Sequence, residues 1–200
     1  MNIAGFVSGN GTNLQAIIDA LSRGRIKAKI ALVVSNKKDA YALARAKKAG
    51  IETFVLNHKK FKVREKYDKR IIEELKKRDV ELIVLAGFMR LLSSYFVRQY
   101  RNRIMNIHPS LLPLFKGTHG IRDAFQAGVL ETGVTVHFVD EELDRGPIIL
   151  QEKVKIDKNN TLETLEKKIH KLEHKLYPEA VRLFVEGKLS IEKGKVRISE

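Results

Sequence analysis

Hydrophobic residues along this chain fall into short continuous runs, separated by stretches in which they recur every three or four positions. Continuous apolar runs are typical of strands buried on both faces of a parallel sheet, and the wider spacing is typical of amphipathic helices. The predicted strands cover residues 3–7, 30–34, 52–56, 81–86, 104–107, 134–139 and 148–156, and the predicted helices cover residues 12–22, 39–49, 63–77, 94–100 and 121–127. This alternation predicts an α/β fold with a doubly wound, mostly parallel sheet.

The C-terminal part is predicted to be one long helix followed by a hairpin. Leucines and isoleucines recur with helical spacing from about residue 160, where we expect Asn160 and Glu163 to form a capping box. Pro178 lies inside that stripe and should remove a backbone hydrogen bond and kink the helix. Residues 189–198 alternate between apolar and polar, which predicts a hairpin that turns at residues 193–194.

Composition narrows the class of protein. With 44% hydrophobic residues the chain can bury a core, and we expect one domain over residues 1–187, with residues 188–200 as its C-terminal hairpin and tail. No apolar run reaches the roughly 18–20 residues that cross a bilayer, and the N-terminus lacks a basic leader, so we expect a cytoplasmic protein without membrane contact. The lack of cysteine excludes disulfides, thiolate metal ligands and cysteine nucleophiles.

The formal net charge of +14 has two explanations. A nucleic-acid surface is one, but the lysines are spread along the chain and lie mostly on the polar sides of predicted helices, beside glutamates. We therefore interpret them first as solvated faces, which could also attract anionic small molecules.

The segment Asn-Ile-His-Pro-Ser-Leu-Leu-Pro carries the strongest candidate chemistry. Asn106 and His108 are two residues apart, so their side chains point the same way from an extended strand. Pro109 disfavours a helical conformation at His108, which predicts that His108 ends its strand. Because open α/β sheets bind ligands beyond the carboxyl ends of their strands, the pair should face a cleft. For the motif alone, a satisfied histidine at a strand end remains the alternative.

A second motif, Ser-Gly-Asn-Gly-Thr-Asn at residues 8–13, joins the first predicted strand to the first predicted helix. Glycines let the backbone approach a ligand, and the N–H groups at a helix start favour an anion. A tight turn with Thr12 as N-cap explains the same residues. Leu14 stands where the dinucleotide fingerprint needs a small residue, and no Gly-Lys-Thr follows, so a single phosphate fits better than NAD or ATP.

Two more segments complete a recognisable set: Asp-Arg-Gly-Pro-Ile at residues 144–148 and Val-Leu-Ala-Gly-Phe-Met-Arg at residues 84–90. Together the four motifs resemble those of the folate-dependent phosphoribosylglycinamide formyltransferases of purine biosynthesis. The resemblance runs from residue 1 to about residue 189 and implies a Rossmann-like formyltransferase fold. It also implies transfer of the formyl group of 10-formyltetrahydrofolate, as co-substrate, to the amine of 5-phosphoribosylglycinamide, without a metal.

The resemblance implies roles for three groups of residues. The implied catalytic trio is Asn106, His108 and Asp144. Contacts to the ribonucleotide are implied for Gly11, Thr12, Asn13, His170, Lys171, Leu172 and Glu173. Walls of the folate pocket are implied for Arg64, Met89, Arg90, Leu91, Leu92, Asn106, Asp140, Glu141, Glu142, Leu143 and Asp144. From the sequence alone, Arg64 is better explained as a solvated residue at a helix start, and Met89 is equally well explained as part of the core.

In the implied reaction the glycine amine attacks the formyl carbon, an oxyanion forms, and the folate nitrogen leaves. Asn106 could donate a hydrogen bond to the oxyanion without titrating, and His108 would act best as an imidazolium held in that state by Asp144. The expected partners are two small molecules, with neither nucleic acid nor membrane involved. The chain could act as a monomer or a homodimer.

Three alternatives stay open. A hydrolase that releases formate from the same folate would share the catalytic residues, although we expect it to carry an extra N-terminal domain. A metal-dependent hydrolase could use His108, His119, His137 and Asp144, but close metal-ligand spacing is missing and His137 is more typical of a packed histidine. A nucleic-acid binder without catalysis would explain the charge and leave the trio unexplained.

Overall fold

The structure, a computed structural model, describes residues 1–199. The strands of its main sheet are β1 (Asn2–Val7), β2 (Lys29–Ser35), β3 (Thr53–Val55), β4 (Val80–Leu85), β5 (Ile104–His108), β6 (Glu131–Phe138) and β7 (Ile148–Lys155). The helices are α1 (Thr12–Ser22), α2 (Tyr41–Lys48), α3 (Arg64–Lys76), α4 (Ser94–Gln99), α5 (Gly120–Gln126) and α6 (Leu162–Val185), and a 3₁₀ turn covers His58–Lys60.

The seven strands form one sheet in the order β3-β2-β1-β4-β5-β6-β7. The first five run parallel, whereas β6 pairs antiparallel with β5 and β7 pairs antiparallel with β6. This confirms the prediction of a doubly wound, mostly parallel α/β sheet. The strand order reverses between β1 and β4, and the crevice beyond the carboxyl ends at such a point is where ligands bind in this architecture.

Helices cover both faces of the sheet, and each face has its own hydrophobic core. One core joins the sheet to α1, α2 and α6, with Leu14, Leu43 and Tyr177 among its buried side chains. The other core joins the opposite face to α3 and α4 and includes Ile71 and Phe96. Continuous apolar strands are therefore buried on both sides, as their sequence pattern predicts.

The start of α6 differs from the prediction by one residue. Thr161 is the N-cap, its hydroxyl accepting from the Thr164 N–H, while the Thr164 hydroxyl accepts from the Thr161 N–H. The predicted capping pair of Asn160 and Glu163 is therefore wrong. Asn160 instead accepts from the backbone N–H of Asp157, a local bond that competes with capping. The long helix itself is confirmed, and it continues through Pro178 to Val185.

The C-terminal hairpin is also confirmed: β8 (Leu189–Glu192) pairs with β9 (Lys195–Ile198) through a turn at Lys193 and Gly194. Most predicted bounds differ from the observed ones by one or two residues. The largest difference is at β6, which starts at Glu131 because the antiparallel ladder with β7 extends over polar residues. Over residues 1–199, no helix combines the length and apolar character that a membrane crossing requires.

Candidate active site

The site is built at the carboxyl end of β5. His108 is the last residue of that strand and is buried, and Asn106 lies two residues earlier and is half-buried. The predicted position of His108 at the strand end is thus confirmed. Pro109 explains it, because the ring of a proline disfavours the helical region for the residue before it.

Asp144 comes to this strand end from the loop between β6 and β7. Its carboxylate lies 3.7 Å from Nδ1 of His108 and 3.7 Å from Nε2 of His137, and its residue is 8% exposed. The backbone N–H of Gly117 donates to the same carboxylate at 3.0 Å. The structure therefore brings Asn106, His108 and Asp144 together, and adds His137 to them.

His137, which the sequence suggested only as a packed histidine or a metal ligand, also belongs to this group of side chains. The β5–β6 register pairs it directly with Asn106, and the Asn106 amide nitrogen lies 3.3 Å from its Nε2. Its Nδ1 faces the carbonyl of Phe138 at 2.8 Å. Burial is the main cause that lowers the pKa of His137, so the ring is neutral at pH 7.

The neutral His137 ring fixes the orientation of the Asn106 amide. A carbonyl oxygen only accepts, so Nδ1 of His137 must carry the ring proton and donate to Phe138. Nε2 is then an acceptor, and the Asn106 NH₂ group donates to it. Since an amide NH₂ has two hydrogens, one remains for a ligand. The Asn106 side chain is therefore oriented so that its NH₂ group can donate a hydrogen bond to a ligand.

His108 has its two ring nitrogens in different surroundings. Nε2 donates to the Phe115 carbonyl at 2.8 Å, which belongs to the loop between β5 and α5. Nδ1 faces the Asp144 carboxylate at a distance too long for a direct hydrogen bond. The Phe115 carbonyl on one side and the Asp144 carboxylate on the other both face ring nitrogens of His108 as acceptors. Nδ1 makes no direct hydrogen bond to Asp144 at this distance, so it is the ring atom that could contact an oxygen placed beside it.

The loop between β5 and α5, which lies over the cleft, leaves little space around His108. A Cβ added at Gly120 would lie 3.3 Å from Nε2 of His108 and 3.1 Å from the Phe115 oxygen. At the other end of the loop, the Thr135 hydroxyl donates to the Ser110 carbonyl at 2.7 Å. The loop is thus held against the strand end by contacts on both sides.

The turn between β1 and α1 forms a second polar region. Gly11 is the N-cap of α1 with φ of 76°, so Thr12 is the first helical residue and the alternative in which Thr12 is the N-cap is wrong. A Cβ at Gly11 would lie 2.4 Å from the Cβ of Ala42, so only glycine fits. The N–H groups of the first helical turn have no partner inside the helix and point outward.

Side chains from α6 meet this turn. Asn13 donates to the Glu173 carboxylate at 3.2 Å, and Nδ1 of His170 lies 2.8 Å from the same oxygen. The bond to Glu173 is the main cause that raises the pKa of His170. Leu172 packs in the core and Lys171 is exposed. Among the described residues, the buried Oδ1 of Asn13 has no hydrogen-bond partner, so it can accept from a ligand.

The loop after β4 forms the opposite wall of the cleft. Met89 and Leu91 are more than half exposed, as is Leu143 on the loop after β6. The Ser8 hydroxyl donates to Asn36 and accepts from the Met89 N–H, which ties this wall to the turn after β1. Exposed apolar side chains at a sheet's ligand-binding edge suit a flat aromatic ligand.

Charged residues surround this apolar wall. The Arg90 guanidinium lies 5.0 Å from the ring centre of Tyr67. Arg64 is the exposed first residue of α3. Leu92, another predicted wall residue, is half-buried and packs on the α3–α4 core. The remaining predicted wall residues are Asp140, Glu141 and Glu142, and Glu142 pairs with Arg145. Over residues 1–199 no three His, Asp or Glu side chains are grouped so that they could hold a metal ion.

This chain matches a formyl transferase family model and is similar to proteins that are named formyltransferases or transformylases. Residues 1–181 match the family model described as formyl transferase. The chain is 45% identical to phosphoribosylglycinamide formyltransferase of Escherichia coli K12, covering 97% of this chain and 92% of that protein. Identity to the Bacillus subtilis enzyme of the same name is also 45%, over 88% and 91%. The crystal structure of glycinamide ribonucleotide transformylase 1 from Symbiobacterium toebii superposes with a TM-score of 0.97 at 44% identity, over 100% of this chain and 94% of that one.

Proposed function

The chain belongs to the formyl transferase family, and from this membership we propose that it transfers the formyl group of 10-formyltetrahydrofolate to the amine of 5-phosphoribosylglycinamide. The products are the N-formyl ribonucleotide and tetrahydrofolate, a one-carbon transfer of purine biosynthesis. The observation that carries the proposal is the meeting of Asn106, His108 and Asp144 at one strand end, between an apolar wall and a turn suited to phosphate.

Holding the two substrates together in one cleft removes much of the activation barrier to formyl transfer. Fixing a nucleophile against its target can be worth roughly 7–11 kcal/mol. The turn at residues 11–13 would hold the phosphate through backbone N–H groups, with Glu173 and His170 beside it. The loop after β4 would hold the folate, with Arg90 near its carboxylate end. Oδ1 of Asn13 and Nε of Arg90 are buried polar atoms on the two sides of the cleft that lack a hydrogen-bond partner among residues 1–199, which fits bound polar ligands.

The donors at the strand end would stabilise the developing oxyanion. In this proposal Asn106, oriented by neutral His137, donates one N–H, and His108 in its imidazolium form would donate another from Nδ1. A single well-placed donor of this kind is worth about 3 kcal/mol in a transition state. Asp144 stabilises the His108 cation and, through the N–H of Gly117, holds the loop closed over it. We propose that His108 and Asp144 also help to move a proton from the attacking amine to the leaving nitrogen.

The proposal extends to the setting of the reaction. We place the enzyme in the cytoplasm, as a monomer or homodimer whose partners are the two small molecules. Hydrolysis of the same formylfolate is the second candidate, because the same donors would stabilise attack by water. The turn suited to phosphate favours transfer, since a hydrolase has no use for a ribonucleotide site.

One assay separates the two candidates. Purified protein is mixed with 10-formyltetrahydrofolate with and without 5-phosphoribosylglycinamide, and folate product is followed by absorbance. We expect product only when the ribonucleotide is present. Equal rates in its absence would show a hydrolase, and no product in either mixture would refute both candidates.

A further inference from the structure

The Ser8 hydroxyl bonds to two distant loops and not to its own turn. Ser8 directly follows β1 and is buried. Its Oγ donates to Oδ1 of Asn36 at 2.6 Å and accepts from the backbone N–H of Met89 at 2.9 Å. Serine hydroxyls at turns commonly bond to backbone groups only a few residues away. Because β1 lies between β2 and β4 in the sheet, Ser8 instead joins the loops on both sides of its strand.

The directions of these hydrogen bonds are fixed. A backbone N–H can only donate, so Oγ accepts from Met89 and the single hydroxyl hydrogen goes to Asn36. The hydroxyl cannot rotate without losing the bond to Asn36. A third bond runs from the N–H of Ser8 to the carbonyl of Gly87 at 3.1 Å. Ser8 therefore holds the loop after β4 at two backbone atoms that lie two residues apart.

Ser8 makes all the hydrogen bonds between the two segments proposed to bind substrates. We call residues 8–13 the phosphate turn and residues 87–92 the folate loop. Among residues 1–199, the hydrogen bonds that join these segments are the two that Ser8 forms with the folate loop. The other hydrogen bonds of the phosphate turn lead to α1, α2, α6 and the loop after β2. Ser8 is thus the direct link between them.

The phosphate turn is held as a unit by α2. The Gly9 carbonyl accepts from the N–H of Ala42 at 3.0 Å. A Cβ added at Gly11 would lie 2.4 Å from the Cβ of Ala42, so the turn and the helix are in close contact there as well. These two contacts fix the turn on both sides of Asn10. We therefore expect the N–H groups that would hold the phosphate to move together with Ser8.

Resting on the proposed function, we propose that Ser8 is a positioning residue that couples the binding of the two substrates. A phosphate bound at residues 11–13 orders the phosphate turn, and through Ser8 it also orders the backbone of the folate loop. The folate loop then loses less conformational entropy when the folate binds, so the folate binds more tightly. Because coupling is reciprocal, the folate tightens binding of the ribonucleotide by the same factor.

The first test measures this coupling without turnover. Tetrahydrofolate lacks the formyl group, so it can occupy the protein together with 5-phosphoribosylglycinamide without reacting. Its affinity is measured calorimetrically with and without saturating ribonucleotide. In the wild type we expect the ribonucleotide to tighten its binding at least about fivefold, the lower end of typical coupling. In Ser8→Ala the two affinities should agree within twofold, and in Ser8→Cys, whose thiol is a weak acceptor, the coupling should be weaker than in wild type.

Hydrogen exchange gives a second readout, which a purely structural role of Ser8 would leave unchanged. In the wild type, the ribonucleotide alone should slow amide exchange in the folate loop, although it binds at the phosphate turn. In Ser8→Ala the ribonucleotide should still slow exchange at the phosphate turn and no longer slow it in the folate loop. Thermal melts establish that the variants are folded.

Ser35 offers a matched control at the end of the neighbouring strand β2. It is buried, like Ser8, and its hydroxyl donates to the Lys37 carbonyl at 2.8 Å and accepts from the Lys37 N–H at 3.1 Å. The bonds of this hydroxyl therefore stay within one loop. Ser35→Ala removes a comparable buried hydroxyl and should keep the full coupling.

Three outcomes overturn the inference: a wild type that binds both ligands without coupling, a Ser8→Ala variant that keeps the coupling, or a Ser35→Ala variant that loses it. Slowed exchange of the folate loop in Ser8→Ala would also overturn it, because other contacts would then transmit the ordering. Failure of the proposed function is recognised separately, as absence of formyl transfer by the wild type when both substrates are present.

Discussion

Asp144→Asn removes one charge from the centre of the site and almost nothing else. The asparagine carbonyl can still accept from the Gly117 N–H, which in the wild type donates to the carboxylate at 3.0 Å. The loop over the cleft should therefore keep its position. What changes is the negative charge 3.7 Å from Nδ1 of His108.

The size of the effect follows from distance and burial. Both side chains of the pair are less than a tenth exposed. Two unit charges at this distance, with an effective dielectric constant of about 20, attract each other by roughly 4 kcal/mol. If the transition state needs His108 as a cation, losing most of this attraction lowers kcat about a hundredfold or more.

Steady-state kinetics with both substrates measures this loss, and equilibrium binding of the folate separates it from a binding defect. We expect the KM for folate to stay within a few-fold of wild type while kcat falls. Asp144→Ala, which also removes the contact to Gly117, should be worse in both parameters. An Asp144→Asn enzyme with kcat within threefold of wild type would remove Asp144 from the mechanism.

Three further predictions concern the phosphate turn and the stability of the fold. Gly11→Ala should raise the KM for the ribonucleotide at least tenfold and cost about 2–4 kcal/mol in denaturant unfolding, because φ is positive and the new Cβ would meet Ala42; wild-type values would contradict this. Glu173→Gln should lower the pKa of His170 in an NMR titration, since the bond to Glu173 raises it. Ribonucleotide affinity should then fall at a lower pH than in wild type, as the ring loses its charge, and an unmoved titration would refute the role of Glu173. Glu74→Gln should destabilise by about 2 kcal/mol at pH 7, because basic neighbours lower the Glu74 pKa to about 2. That stability is complete above the unfolded value of 4.5 and is lost as pH falls toward 2, so wild type and variant should converge in acid, and a constant difference would contradict the reasoning.

The sheet and the ends of its strands were accessible from the sequence because local physics determines them. Continuous apolar runs can only be buried on two faces, and Pro109 restricts His108 whatever the rest of the chain does. The register between antiparallel strands could not be predicted in this way. The pairing of His137 with Asn106 depends on how β6 packs against β5, which residue spacing does not reveal. The only sign in the sequence that His137 could reach the site was its place in a strand with alternating apolar and polar residues.

The exact ends of helices were also difficult to predict from the sequence. Asn160 and Thr161 are both good N-cap residues, and the choice between them depends on a bond of about 1 kcal/mol. Thr161 is selected because Thr164 reciprocates and Asn160 is engaged by the backbone of Asp157. Which residues of 170–173 face the turn also required the structure, since Leu172 is directed into the core while Glu173 meets Asn13.

The most direct test of the central claim follows the formyl carbon itself. Folate labelled at the formyl group is incubated with 5-phosphoribosylglycinamide and either wild-type protein or His108→Ala. We predict that the label passes to the ribonucleotide in the wild type and that the rate falls at least a hundredfold in the variant. Label recovered as free formate, or transfer by the variant at the wild-type rate, would contradict the account.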